Sequence, residues 1–179
     1  ETGTCQHLRD SRITTIYEGT TGIQAADLAG RKLNMDQGAA MRALIAEIGV
    51  TVEELGRGAG DDLAAIRAGL AEGVQALAEA TDWILGTSDA DHVMAVSVDY
   101  LMLAGYVCGG WQMARAALVA QGKLVDHDQL MLGEDPLFHE AKRVTTRFYA
   151  EHILPKAGAL CASIKNGGIS ILALTEEQF

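Results

Sequence analysis

A helical stripe of apolar residues in the middle of the chain restricts the possible folds more than any other sequence feature. Between Asp61 and Gly86, large aliphatic side chains recur every three or four positions, at Leu63, Ile66, Leu70, Val74, Leu77 and Ile84. This spacing puts them on one face of a long helix, and such a face must be covered by other helices. No alternating strand pattern competes with it. The sequence therefore predicts an all-α fold.

Three more segments have the periodicity and punctuation of helices that could cover this stripe. The four predicted helices run from Ala39 to about Leu55, from Asp61 to Gly86, from Ser88 to about Gln121, and from Asp135 to Gly167. Short breaks separate the first three, and short connections favour antiparallel neighbours. We predict an antiparallel four-helix-type bundle.

Capping residues set the expected ends of these helices. Ser88 with Asp91 resembles a capping box, and Gly122 is the predicted C-cap of the same helix. Asp135-Pro136 supplies the N-cap and first position of the last helix, which Pro155 is expected to kink and Gly167-Gly168 to end.

The chain is expected to divide at residues 34–38, where the helical pattern stops. Before this break, residues up to about Asp10 resemble the end of a helix, 11–19 a loop, and Thr20 the start of a helix with Ile23, Leu28 and Leu33 near one face. We predict two parts, residues 1–35 and residues 36–179. Because the sequence opens at Glu1 as though within a helix, we interpret it as a C-terminal fragment.

Charge and cysteine content narrow the classes of partner. The formal net charge is −10, which disfavours general attraction to nucleic acid or anionic lipid. Three widely spaced cysteines fit reduced thiols and a cytoplasmic protein.

The apolar run from Val93 to Trp111 contains Asp99 near its centre, which favours a buried bundle helix over a membrane span. Gly105 and Gly109 in this run would allow close approach of another helix.

Polar and charged residues that are not needed for helix packing are concentrated between Arg9 and Gln24. The sequence there is Arg-Asp-Ser-Arg-Ile-Thr-Thr-Ile-Tyr-Glu-Gly-Thr-Thr-Gly-Ile-Gln. Glu18 precedes Gly19, where the backbone can approach a ligand closely. Thr20 or Thr21 can cap the following helix, whose first amides suit an anion. A base beside an anion site and a solvated loop with an ordinary N-cap both fit this pattern.

This stretch resembles the active-site segment of the acyl-CoA dehydrogenases, in which an Arg-Asp-x-Arg/Lys-Ile run precedes Ile-Tyr-Glu-Gly-Thr and a helix opening with Ile-Gln. The runs 100–111, 148–155 and 172–179 resemble the added C-terminal helical domain of the longer bacterial members, which include the methylmercaptopropionyl-CoA dehydrogenases. By this resemblance residues 1–35 are the end of the family's C-terminal helical domain, and 36–179 are the added bundle.

The resemblance also implies site residues, a cofactor and partners. Glu18 would be the catalytic base and FAD the hydride acceptor in desaturation of an acyl-CoA. Tyr17 and Gly19 would contact the substrate, and FAD would contact Thr20, Gly22 and Gln24. An electron-transfer flavoprotein and further copies of the chain are the implied protein partners. Most of the family's flavin platform has no counterpart here, so the chain alone is expected to be inactive and without FAD.

Other chemistries find little support in the sequence. A di-iron bundle needs two Glu-x-x-His motifs, and the chain has none. No metal site, nucleophile elbow, phosphate loop or dinucleotide fingerprint is predicted. The competing hypothesis is a non-enzymatic helical module that self-associates through the helix bearing Gly105 and Gly109. It accounts for residues 36–179 as well as the enzyme hypothesis does, and for Arg9–Gln24 less well.

Overall fold

The computed structural model describes residues 4–15, 19–126 and 135–178, and all regular structure in these ranges is helical. The helices are α1 (Thr4–Arg12), α2 (Thr21–Ala26), α3 (Leu33–Met35), α4 (Ala39–Leu55), α5 (Asp61–Gly86), α6 (Ala90–Ala95), α7 (Ser97–Val125), α8 (Pro136–His152) and α9 (Pro155–Asn166). A π-helical segment, Asp27–Lys32, joins α2 to α3, and 3-10 turns occupy Ile13–Thr15 and Glu176–Gln178. The predicted all-α fold is confirmed.

Helix α5 lies at the centre of the bundle and packs against α4, α7, α8 and α9. Its predicted stripe is buried except for Val74, which is half-buried against the same core. The facing side of α7 contributes Tyr100, Leu103 and Val107, which are fully buried. Burial of one large aliphatic side chain contributes about 1.5–3 kcal/mol, so this central stripe is the main source of stability.

The predicted third helix is interrupted and runs further than expected. It is divided at Val96, where φ is −108° and ψ is 4°, into α6 and α7. Asp89, not Ser88, is the N-cap, because its carboxylate accepts a hydrogen bond from the Asp91 amide at 2.9 Å. The C-cap prediction at Gly122 is wrong, since its carbonyl still accepts from the Asp126 amide at 2.9 Å and α7 continues to Val125.

The last predicted helix consists of two helices. Asp135 is its N-cap as predicted, with its carboxylate accepting from the Leu137 amide at 2.9 Å. Pro155 does not kink a continuous helix: α8 ends at His152 and the proline starts α9, where its missing N–H costs nothing. Gly167 ends α9 with φ of 67°, a conformation that favours glycine.

Close helix contacts occur at several glycines, and Gly109 is the only member of the predicted pair among them. At Gly110 an added Cβ would lie 2.8 Å from the Leu154 side chain, and at Gly69 it would lie 2.8 Å from the Ala150 carbonyl oxygen. Gly109 faces the Tyr149 hydroxyl, but a Cβ at Gly105 would meet nothing within 4 Å. The close approach therefore involves the Gly109 end of the predicted motif, and Gly105 lies on an open surface.

The segment from α2 to α3 shares the core of the bundle. Ala25, Ala29 and Leu33 are buried, and this segment packs along α7. The buried face is thus offset from the predicted one, because Ile23 is 66% exposed and Leu28 only half-buried. Gly38, with φ of 80°, forms the turn that separates this segment from α4. No helix in the described ranges combines the length and apolar composition needed to cross a membrane.

Candidate active-site segment

The predicted base and acyl-pocket residue lie outside the described ranges. Tyr17 and Glu18 belong to residues 16–18, between the Ile13–Thr15 turn and Gly19. Their roles stay predictions. The structure describes the neighbours on both sides of these residues.

On the N-terminal side, helical structure extends beyond the predicted end at Asp10. Helix α1 continues to Arg12 and passes into a 3-10 turn where a loop was expected. The Ser11 hydroxyl donates to the Leu8 carbonyl at 2.8 Å, and the Thr14 hydroxyl donates to the Ser11 carbonyl at 2.6 Å. Such side-chain bonds to the preceding turn compete with the regular helical pattern, and they occur where α1 passes into the 3-10 turn. No residue of α1 is buried.

On the C-terminal side, Thr20 is the N-cap residue of α2, but its side chain makes no capping bond. Its backbone is extended, with φ of −54° and ψ of 148°, and its carbonyl accepts from the Gln24 amide at 3.0 Å. The predicted capping role of the Thr20 side chain is therefore wrong. The hydroxyl is exposed, and it is available beside the first amides of α2, which have no intrahelical partner.

Gln24 and Gly19 are brought together more closely than the sequence indicated. An added Cβ on Gly19 would collide with the amide nitrogen of the Gln24 side chain. A side chain at position 19 would require the flexible Gln24 side chain, which lies across the Gly19 backbone, to move. Their five-residue spacing across a helix start was the only available signal. Gly22, in contrast, has open space where a Cβ would lie.

A charged cluster follows directly in the π-helical segment. Asp27 forms ion pairs with Arg31 at 2.5 Å and Lys32 at 3.2 Å. The hydrogen bond from Arg31, followed by that from Lys32, lowers the pKa of Asp27 below its usual value. π-Helical turns are rare and recur near functional sites. This cluster could not be recognised from the sequence, because Asp27 and Arg31 have the four-residue spacing of an ordinary helical ion pair.

The reactive side chains of the bundle are engaged in packing. Burial raises the pKa of the Cys108 and Cys161 thiols, which keeps them protonated and weakly nucleophilic at neutral pH. The Trp111 indole donates to the Thr51 hydroxyl at 2.8 Å, and the Tyr149 hydroxyl donates to the Tyr106 carbonyl at 3.1 Å. Within residues 4–15, 19–126 and 135–178, no group of three or more histidine, cysteine or acidic side chains could hold a metal ion.

Known proteins are similar to this chain over almost its whole length. Residues 44–175 match the family described as acetyl-CoA dehydrogenase C-terminal like. The chain is 39% identical over 174 residues to a 3-methylmercaptopropionyl-CoA dehydrogenase of Ruegeria pomeroyi, covering 96% of this chain and 28% of that protein. It is 33% identical to a broad-specificity linear acyl-CoA dehydrogenase of Mycobacterium tuberculosis, covering 97% and 29%. A butyryl-CoA dehydrogenase of Syntrophomonas wolfei is 27% identical over 175 residues, covering 96% and 28%.

Two facts follow from these comparisons. The chain spans less than a third of the length of these relatives. A coverage of 96% leaves too few residues at the ends to exclude the Arg9–Gln24 segment from the alignment with the Ruegeria protein. Because the family match extends over most of the all-helical bundle, the chain belongs to the acetyl-CoA dehydrogenase C-terminal-like family.

Proposed function

We propose that this chain is part of a flavin-dependent acyl-CoA dehydrogenase and contributes the base that removes the substrate α-proton. The observation that carries the proposal is the Arg9–Gln24 segment, which resembles the active-site segment of that family and lies within a chain aligned to acyl-CoA dehydrogenases. The reaction is desaturation of an acyl-CoA thioester to the trans-2-enoyl-CoA.

Glu18 is assigned the proton-transfer step. Its carboxylate accepts the proton from the α-carbon. The β-carbon loses a hydride, which carries two electrons, to the cofactor, and the electron pair left at the α-carbon forms the C–C double bond. FAD, when bound, supplies the hydride acceptor. Gly19 is assigned to substrate contact beside the base, and Tyr17 to contact with the acyl chain.

The start of α2 fits one side of an FAD site. The Thr20 hydroxyl is exposed and unused for capping, and a Cβ at Gly22 would meet nothing within 4 Å. Amides at a helix start favour a phosphate or carbonyl oxygen. We assign Thr20 and Gly22 to cofactor contact. Gln24, whose side chain covers Gly19, is assigned to the same cofactor.

The segment needs further protein surface to enclose a reaction. Leu8, Ile13 and Ile23 are each more than half exposed on the described sides of the predicted site. Exclusion of water is a requirement of this chemistry. We therefore propose that the chain alone is inactive. The rest of the site would come from regions equivalent to those parts of the relatives that this chain does not cover. An electron-transfer flavoprotein is the proposed electron acceptor, and the cytoplasm the proposed location.

Self-association is the second candidate, and one observation favours it. Val98 and Met102 are each 41% exposed on α7, and the open Gly105 follows at helical spacing on the same face. This narrow apolar strip could pack against another copy, which agrees with a homo-oligomeric dehydrogenase as well as with a non-enzymatic module. A flavin absorption band in a protein carrying this chain would separate the two.

The test of the proposed base is Glu18→Gln in an acyl-CoA dehydrogenase of full length that carries this chain. Glutamine keeps the size but cannot accept the α-proton, so we expect flavin and acyl-CoA to bind and flavin reduction to slow by about 100- to 10,000-fold. Anaerobic stopped-flow absorbance measures this rate. Glu53→Gln on the exposed surface of α4 is the matched control and should reduce its flavin at the wild-type rate. Wild-type flavin reduction in the Glu18 variant would remove this residue from the mechanism.

A further inference from the structure

Positive charge lines one side of a cleft between the C-terminal half of α7 and the first turns of α8. The cleft has a volume of about 470 Å³, which is within the range of small-ligand pockets. Arg115 and Lys123 of α7 and Lys142 of α8 line it, and none of the lining residues in the described ranges is a carboxylate. This is unusual in a chain whose formal net charge is −10.

Two of these cations are held by aromatic rings instead of carboxylates. The Arg115 guanidinium lies 5.3 Å from the centre of the Trp111 ring, and the Lys142 ammonium lies 5.2 Å from the centre of the Phe138 ring. Within the described ranges neither forms an ion pair. Cations elsewhere in the bundle do, as Lys165 does with Glu79 at 2.9 Å. An aromatic face orients a cation without neutralising it, so Arg115 and Lys142 keep their full charge for an anion.

The cleft also has an apolar surface that packing leaves open. Val119 is 61% exposed and Phe138 is 57% exposed, and both line the cleft beside the cations. A bare anion would use only the charged side. A ligand that combines two or more negative charges with a flat, weakly polar group would use both sides.

We propose that this cleft binds a nucleoside diphosphate. The diphosphate would lie between Arg115 and Lys142, because guanidinium and ammonium groups are the usual side-chain partners of phosphate oxygens. The base would lie on the apolar side formed by Val119 and Phe138. Lys123 lines the same cleft. This site requires neither Glu18 nor a flavin, so it stands apart from the proposed dehydrogenase chemistry.

The test is calorimetric titration of the 179-residue chain with ADP in magnesium-free buffer, with adenosine and pyrophosphate as separate probes. We expect saturable binding of ADP at one site, weaker binding of pyrophosphate, and no binding of adenosine. Raising the salt concentration should weaken ADP binding because the contacts are ionic. Equal affinities for ADP and pyrophosphate would reduce the site to a phosphate site and overturn the nucleoside part.

Charge-neutral variants locate the site. Arg115→Gln and Lys142→Gln are surface changes, so we expect unchanged thermal melting and at least a tenfold weaker ADP affinity in each. Arg57→Gln, in the exposed loop before α5, removes the same charge far from the cleft lining and should bind ADP like the wild type. The proposal is overturned if ADP does not bind at millimolar concentration, if the Arg57 variant loses as much affinity as the cleft variants, or if a glutamate-rich peptide binds while ADP does not.

Discussion

The bundle and the active-site segment are structured by different means, although they belong to one helical chain. In α5 and α7 the side chains that define the fold are inside the protein, and many of them are fully buried. From Thr4 to Gln24 none of the side chains in the described part is buried, and the first buried residue is Ala25. The bundle is thus specified by its own packing. The segment carries the more distinctive sequence, and its described residues up to Gln24 contribute no buried side chain.

The largest effect that tests this difference is a pair of truncations of aliphatic side chains. Leu77→Ala removes a fully buried side chain from the centre of the α5 stripe and should lower the free energy of unfolding by about 2–5 kcal/mol. Ile23→Ala removes a similar side chain from α2 where it is mostly exposed, and the change should stay within about 0.5 kcal/mol. Chemical denaturation followed by circular dichroism measures both.

The comparison between the two variants is informative because the removed groups are alike. Equal losses of stability would mean that the segment has a packing partner in this chain, and the contrast between the two regions would then be invalid. A neutral Leu77→Ala would be inconsistent with α5 as the centre of the core.

The bundle and the active-site segment also differ in how well the sequence predicts their structure. Large aliphatic residues at regular spacing made the α5 helix and its buried face predictable. The buried face of α2 and α3 was not, because it is formed by Ala25 and Ala29, whose small side chains give little hydrophobic signal. The interruption at Val96 could not be predicted either, since the apolar pattern continues through it and the turn depends on local hydrogen bonds such as that from the Ser97 hydroxyl to the Met94 carbonyl.

The candidate site was predictable only as a list of residues. The Tyr-Glu-Gly-Thr sequence identified Glu18 and the helix start, and that start is found at Thr20–Thr21. The position of the Gln24 side chain across Gly19 depends on a rotamer and a helix-entry angle that no residue type specifies. The cation-lined cleft was missed for a related reason. Arg115 and Lys142 are distant in sequence, and their proximity comes from the antiparallel packing of α7 and α8.

A smaller effect is expected at a buried hydrogen bond that links α5 and α7. The Thr81 hydroxyl donates to the Leu77 carbonyl at 2.7 Å, so the Tyr100 hydroxyl must donate to the Thr81 oxygen, 2.9 Å away. Thr81→Val keeps the shape but leaves the buried Tyr100 hydroxyl without this acceptor, which should cost about 1–3 kcal/mol. Thr81→Ser keeps the hydroxyl and is the control. Serine lacks the methyl group, so any loss in that variant reports methyl packing alone. In denaturation curves, a valine variant as stable as the wild type would contradict a contribution from this hydrogen bond.

The same pair predicts a pH dependence that the exposed segment should lack. Burial raises the pKa of Tyr100 above its usual value of 10. Below pH 10 the tyrosine is neutral in both states and its contribution is complete. As the pH rises further, the unfolded tyrosine ionises first and the folded state loses stability. Wild-type protein should therefore lose more stability above pH 10 than Tyr100→Phe, and parallel pH curves for the two proteins would contradict this assignment.

The smallest expected effect compares two helix starts, one in each region. Asp135 caps α8 through its bond to the Leu137 amide, whereas Thr20 occupies the same position before α2 and caps nothing. Asp135→Ala should therefore lower the free energy of unfolding by about 0.5–2 kcal/mol, and Thr20→Ala should change it by less than about 0.5 kcal/mol. Asp135→Asn keeps an acceptor and should recover most of the loss. Urea denaturation of the three variants measures the differences. If Thr20→Ala proved as costly as Asp135→Ala, the Thr20 hydroxyl would have a structural role at the helix start, and the argument that it is available for a ligand would fail.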